Sequence, residues 1–233
     1  MDLDALIELD RQLLLWLNGS ESLYLDALVH ILTTAATWIP LYLALFYVVV
    51  KNSDTVTQIL LVLACAGLCA LMAGAVDDLI VKPTIARWRP THDPVIGTLV
   101  DTVNGYRGGS YGFFSAHASN TFSIAVFFSL LIRSRLLTVA LVLWSFVNCW
   151  TRLYLGVHFP GDIVCGLLWG ALTGTVVYLL YVRVCRRLYG QHRYFSDGYT
   201  RSGFDRNDIH VVISVLVFTL IYALLRSCLM LYM

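Results

Sequence analysis

Thr57-Gln-Ile-Leu-Leu-Val-Leu-Ala-Cys-Ala-Gly-Leu-Cys-Ala-Leu-Met-Ala-Gly-Ala-Val76 runs for 20 residues without a charge. A spanning helix needs about 20 mostly apolar residues, so this stretch reads as one crossing of a bilayer. Lipid offers backbone N–H and C=O groups no partners, which makes the crossing a helix. Five further runs have the same character: Ile31–Val50, Ser115–Ile132, Leu136–Leu155, Pro160–Val182 and Ile209–Leu225. Short connections between them predict an antiparallel bundle. The expected fold is all-α, an integral membrane bundle of six transmembrane helices over residues 25–233. No internal repeat, low-complexity tract or Gly/Ser linker divides residues 1–233, so a single domain is expected.

Composition supports this class. The chain is 58% hydrophobic and 13% charged, against roughly 25% charged in soluble domains. Its mean hydropathy is +0.73. A net charge of +1 gives no basic face for nucleic acid. Cys65, Cys69, Cys149, Cys165, Cys185 and Cys228 lie in or beside apolar runs and form no CxxC pair. They are expected to act as small buried hydrophobes, with no metal or disulfide framework. The start of the chain lacks a basic region before an apolar run, so no cleaved signal peptide is expected.

Residues 1–24 differ from the rest. Leu3, Leu6, Ile7, Leu13, Leu14 and Leu17 fall near one helical face, Asp10 and Arg11 lie elsewhere, and Asn18-Gly19 is a stop signal. This reads as an interfacial amphipathic helix, with a helix packed on the bundle as the alternative. Lys51, Arg133, Arg135, Arg183, Arg186, Arg187, Arg193, Arg201 and Arg206 fall in loops that share one face. The positive-inside rule makes that face cytoplasmic. The acidic N-terminus (Asp2, Asp4, Glu8, Asp10, Glu21), the loop from about Val81 to Phe114 and the turn around His158 then face outward. Lys82, Arg87, Arg89, Arg107 and Arg152 run against that bias and need their own explanation.

Three clusters on the outer face contain chemistry. In Lys82-Pro-Thr-Ile-Ala-Arg87-Trp-Arg89-Pro90, Pro83 and Pro90 disfavour helix at the residues before them, so the chain is expected to leave its helix at Lys82. A collar of cations snorkelling to headgroups is the alternative reading. Phe114-Ser115-Ala116-His117 follows the glycine-rich approach Gly108-Gly109-Ser110-Tyr111-Gly112. Ser115 is a good N-cap, and the free N–H groups behind it suit an anion. In Thr151-Arg152-Leu-Tyr-Leu-Gly-Val-His158-Phe-Pro160-Gly-Asp162, Pro160 suits a first helical turn. Asp162 within that turn could accept a hydrogen bond from His158 and leave the other imidazole nitrogen free to attack. Cations and helix N-termini converging at an interface describe a phosphate site. The two histidines are far apart in sequence among cations, so no metal set is expected.

Lys82-six residues-Arg89-Pro90, Ser115-Ala116-His117 and Arg152-five residues-His158-three residues-Asp162 together resemble the tripartite signature of the type 2 phosphatidic acid phosphatase superfamily. That superfamily includes lipid phosphate phosphatases, glucose-6-phosphatases and vanadium haloperoxidases. Two positions depart from its pattern: Phe114-Ser115-Ala116-His117 replaces Pro-Ser-Gly-His, and Thr151 replaces Ser. Ala still supplies a backbone N–H and Thr still supplies a hydroxyl. The resemblance implies a metal-independent, cofactor-free hydrolase acting on a lipid phosphate or diphosphate. His158 is then the nucleophile that becomes phosphohistidine, Asp162 its orienting carboxylate and His117 the general acid. Lys82, Arg89, Ser115, Ala116 and Arg152 form the phosphate cradle. Asp78, His92 and Arg107 are candidates for headgroup or supporting contacts. Short superfamily members of this kind resemble bacterial inner-membrane enzymes with outward sites, acting on undecaprenyl diphosphate, phosphatidylglycerophosphate or lipid A phosphate. The competing class is a transporter or ion-binding bundle using Asp77 and Asp78, which would predict repeats with interrupted helices.

Overall fold

A computed structural model of the chain describes residues 3–189 and 198–232. Asp2 and Arg193, used in the charge argument, and the side chain of Leu3 lie outside the described residues. The described chain is helical: α1 (Leu3–Leu17), α2 (Leu23–Thr33), α3 (Ile39–Lys51), α4 (Val56–Ile85), α5 (Ala116–Ile132), α6 (Arg135–Tyr154), α7 (Pro160–Tyr189) and α8 (Arg206–Met230). Ser22, Thr55, Ser115, Ser134 and Asp205 each accept a first-turn N–H through the side chain. Such caps fix where a helix starts.

By length and apolarity, Val56–Ile85, Arg135–Tyr154, Pro160–Leu188 and Arg206–Met230 can each cross a membrane. The first expected span is not one straight helix. α2 and the Ala35–Lys51 stretch meet at a 67° bend, and together they make one further candidate crossing. The bend is built from side chains that take up the freed carbonyls: Thr34 Oγ1 donates to His30 O, Thr37 Oγ1 to Ile31 O and Trp38 Nε1 to Leu32 O. α5 is a shorter apolar helix of 17 residues.

α4 also departs from expectation. Lys82 is helical at φ −58°, ψ −48°, and the chain turns only at Ala86, where φ is 49°. A π-helical stretch at Asp77–Val81 precedes Pro83, with Lys82 N–H reaching back to Asp77 O. The wider turn relieves the clash that a proline imposes on the residue before it. Arg89 is extended before Pro90, as expected.

α5 and α7 pack with their backbones in close contact. A Cβ on Gly166, Gly170 or Gly174 would stand 2.7, 2.6 or 2.5 Å from the carbonyl oxygens of Ser115, Ser119 and Ser123. Small residues every fourth position let helices approach to backbone contact. This seam joins the N-terminal ends of α5 and α7, where Ser115 N–H donates to Asp162 O at 3.1 Å. An apolar core of Trp38, Leu41, Leu45, Phe127, Leu141 and Trp144 fills the bundle, while Leu60, Leu168, Leu172, Phe218 and Leu225 face outward. Cys65, Cys69 and Cys149 are buried as expected; Cys165 and Cys185 are half-buried and Cys228 is exposed, since their helix faces point outward.

The two ends of the bundle are distinct. At the end bearing the Arg-rich loops, Asp208 accepts from Tyr47 and Asn52, Asn52 accepts from Asp205 N–H, and Ser202 donates to Ile132 O. At the other end α1 lies against α6 and α7. Leu14 is fully buried there while Leu6, Leu9 and Leu13 remain exposed. Asn18 closes α1 by donating to Tyr154 O and Asp101 O.

Candidate active site

The three sequence clusters meet at this second end. Arg87, Trp88 and Arg89 run as a short extended segment pinned to the glycine-rich loop: Arg89 N–H donates to Ser110 O, and Gly112 N–H to Arg87 O. Side chains two apart on an extended strand share a side. Arg87 and Arg89 therefore point together into the site, and Trp88 stacks outside on Tyr111 at 5.1 Å. Gly112 is a close-approach residue as well as a flexible one, because a Cβ there would stand 2.9 Å from Arg89 Cγ.

His158 is 2% exposed. Its Nε2 faces Arg89 Nη1 at 3.1 Å. A guanidinium only donates, so Nε2 presents its lone pair and Nδ1 carries the proton. Nδ1 faces Asp162 Oδ2 at 3.7 Å, too long for a hydrogen bond. The expected hydrogen bond is absent; the carboxylate is instead held where Oδ2 accepts from Phe159 N–H at 2.9 Å and Oδ1 from Arg87 at 2.7 Å. Burial first, then the charges of Arg89, Arg152 and Lys82, hold the His158 pKa well below its ordinary value. The ring is thus neutral, the form in which an imidazole can attack.

The cations divide into two kinds. Lys82 Nζ sits 2.7 Å from Asp77 Oδ2 and 2.5 Å from Asp78 Oδ1, so both acids pair with a site cation. Arg87 bridges Asp162 and Asp10, the latter at 2.6 Å. Burial works against its charge, but the two carboxylates outweigh it and raise its pKa. Arg89 and Arg152 make no ion pair with a carboxylate among the described residues. Arg89 donates to the carbonyls of Tyr111 and Val157. Its pKa is lowered by burial and by the like charge of Arg152. Arg152, 4% exposed, donates to Thr33 Oγ1 at 2.7 Å and lies 5.9 Å from the Tyr106 ring. One buried and one half-buried cation without counter-charge among the described residues make a site for an anion.

Ser115 caps α5 through its hydroxyl, leaving the first-turn N–H groups of Ala116 and His117 outside the helix ladder. His117 is half-buried in that turn, within the field of Arg152, His158, Arg89 and Lys82. His92 is held by Thr91 Oγ1, which also donates to Arg107 O; the Arg107 side chain is exposed. Asp10, Thr33 and Tyr106 escape a reading from sequence as site residues, and Arg87 reads only as an outer-face cation of the first cluster, with no role assigned. The signal for Arg87's role is its two-residue offset from Arg89.

Residues 55–186 match the PAP2 superfamily. The chain is 33% identical over 228 residues to a lipid A 4'-phosphatase of Bacteroides thetaiotaomicron, covering 97% of this chain and 100% of the relative. It is 33% identical over 190 residues to a lipid A 4'-phosphatase of Porphyromonas gingivalis, covering 81% of this chain and 79% of that protein. Over 112 residues it is 37% identical to a decaprenylphosphoryl-5-phosphoribose phosphatase of Mycobacterium tuberculosis, covering 48% of this chain and 57% of that protein. No solved structure matches the chain.

Proposed function

The chain belongs to the PAP2 superfamily and is a multi-pass membrane lipid phosphatase, and from that premise we propose that it hydrolyses a phosphomonoester of a lipid A-type saccharolipid through a phosphohistidine on His158. The observation that carries the mechanism is the half-buried Arg89 and the buried Arg152, neither paired with a carboxylate among the described residues, beside a neutral His158 whose Nε2 lone pair faces Arg89 Nη1. Nε2 attacks phosphorus, the phosphorus–oxygen ester bond breaks, and His117 protonates the departing alcohol oxygen. A water deprotonated by His117 then releases phosphate and restores the imidazole. Arg89, Arg152, Lys82, the Ser115 cap and the Ala116 N–H hold the phosphoryl oxygens, whose charge grows toward the transition state. These donors take the electrostatic role without a divalent metal. Asp162 stabilises the imidazolium, and its 3.7 Å separation from Nδ1 closes as the ring gains charge, because catalytic contacts tighten in the reacting complex.

The similarity to the Bacteroides thetaiotaomicron and Porphyromonas gingivalis lipid A 4'-phosphatases favours lipid A over undecaprenyl diphosphate and phosphatidylglycerophosphate. The loop charge pattern supports an inner-membrane location with the site facing the periplasm. The transporter alternative gives way, because Asp77 and Asp78 are both engaged by Lys82. The test is phosphate release from a panel of these lipids in detergent with a chelator present. Lipid A should be cleaved fastest, with an acid-labile phosphoenzyme in wild type and none in His158→Ala. A phosphoenzyme persisting in His158→Ala, or turnover that needs added zinc or magnesium, would overturn the mechanism.

A further inference from the structure

The PAP2 match begins at residue 55, yet two residues ahead of it reach charged groups of the site. Asp10, on α1, accepts from Arg87 Nη2 at 2.6 Å through Oδ2 and from Gly161 N–H at 2.7 Å through Oδ1. Arg87 gives its other terminal nitrogen to Asp162 Oδ1 at 2.7 Å, and its guanidinium lies 4.3 Å over the Phe159 ring. The Asp10 side chain is 14% exposed and that of Asp162 fully buried. A Cβ on Gly161 would stand 2.9 Å from Asp10 Oδ2, so the backbone there is shaped to the carboxylate. Thr33, the last residue of α2, accepts from Arg152 Nη1 at 2.7 Å.

We propose that the segment ahead of the matched region completes the catalytic site: Asp10, acting through Arg87, positions Asp162, and Thr33 positions Arg152. The proposal rests on the roles assigned to Asp162 and Arg152 above. Arg87 turns Asp162 so that Oδ1 is occupied and Oδ2 faces Phe159 N–H and His158 Nδ1. A lone guanidinium on that carboxylate would also drain the negative charge that His158 needs. Asp10 supplies the opposite charge to the same guanidinium, so Arg87 orients Asp162 without quenching it. Thr33 does the corresponding work for Arg152 with a neutral oxygen. A carboxylate there would fix the guanidinium equally well but cancel the charge meant for phosphate. Each anchor thus fixes a geometry and leaves the working charge intact.

The experiment measures kcat and KM of the full-length protein in detergent on the lipid phosphate that wild type cleaves, with orthovanadate as the phosphate-site probe. Asp10→Asn keeps the shape and the acceptor for Gly161. It should lower kcat by about 10- to 100-fold, as displaced catalytic groups do, with KM changed less than about twofold and the thermal midpoint kept. Asp10→Glu should recover most of the rate. If Asp10 acts through Arg87, adding Asp10→Asn to Arg87→Lys should cost much less than it costs alone, since residues in one network are non-additive. Thr33→Val should weaken orthovanadate inhibition by about tenfold, the scale of one hydrogen bond to a charged group, and Thr33→Ser should restore it. Wild-type kcat in Asp10→Asn, fully additive losses with Arg87→Lys, or Glu and Ser variants no better than Asn and Val would overturn the positioning roles. Absence of a phosphoenzyme in wild type would instead overturn the histidine mechanism. The variant-to-wild-type ratios read the anchors separately from it.

Discussion

Two polar clusters at opposite ends of the bundle, one around Asp208 and one around His158, are satisfied to different degrees. Around Asp208 both carboxylate oxygens have donors, Tyr47 at 3.0 Å and Asn52 at 2.9 Å, and Asn52 is in turn held by Asp205 N–H. Around His158, among the described residues, buried Arg152 Nε has no hydrogen-bond partner and His158 Nδ1 has none of normal geometry. A satisfied buried network stabilises the fold, whereas one left open costs stability and is kept where something else is to bind. The first end holds helices together, and the second keeps open the cationic site proposed for a phosphoryl group.

The largest effects should come from the histidines. His158→Ala should reduce turnover of every substrate to background, measured as phosphate release. His117→Ala should lose about 10²–10⁴-fold on an alkyl phosphate lipid, the range of general acid catalysis, and much less on an activated aryl phosphate at saturation. Equal losses on both substrates would remove His117 from the proton-donor role.

A paired substitution tests the contrast itself. Arg152→Ala should lower kcat/KM by about 10²–10³-fold, as loss of one transition-state donor does. It should leave the thermal midpoint in detergent unchanged or raised, because it removes a buried charge that has no carboxylate partner. Asp208→Ala should do the reverse, costing about 1–3 kcal/mol of stability through the unpaired Tyr47 and Asn52 donors, with activity per folded molecule unchanged. If Arg152→Ala unfolds the protein, the two ends do not differ as argued.

The smallest effect concerns pH. His158 holds its proton less tightly folded than unfolded, so its contribution is neutral above the unfolded pKa of about 6.5. Stability falls as pH drops below that value toward the folded pKa. His158→Gln should therefore flatten part of the loss of thermal stability between about pH 6.5 and 5. An unchanged slope would mean that the ring is protonated in the fold.

Which features were legible from sequence follows from how far their partners lie along the chain. Arg89, Ser115, His117, Arg152, His158 and Asp162 sit in short motifs whose internal spacing is fixed by one helix end or one extended segment, so local pattern exposes them. The bend at Thr34 was obscured because Ile31–Val50 carries no charge, and the carbonyl-capping hydroxyls of Thr34 and Thr37 differ little from lipid-tolerated threonines. Asp10 and Arg87 stand 77 positions apart, and Thr33 and Arg152 stand 119 apart. Contacts of that kind leave no period in a single sequence. The glycines at 166, 170 and 174 did carry a four-residue spacing. Their meaning emerged only once α5 was seen against them.

That seam has a consequence for how an enzyme works on a greasy substrate. With Gly166, Gly170 and Gly174 in backbone contact with α5, the pieces bearing Ser115, His117 and Asp162 form a single stator that cannot breathe when a bulky lipid arrives. What adjusts on docking must lie outside that clamp and outside the Asp10–Arg87–Asp162 chain, among exposed outer-loop side chains such as Val95 and Leu99. Substrates with very different tails could then be accommodated by adjusting the rim, while the anvil on which the phosphate is struck keeps its dimensions.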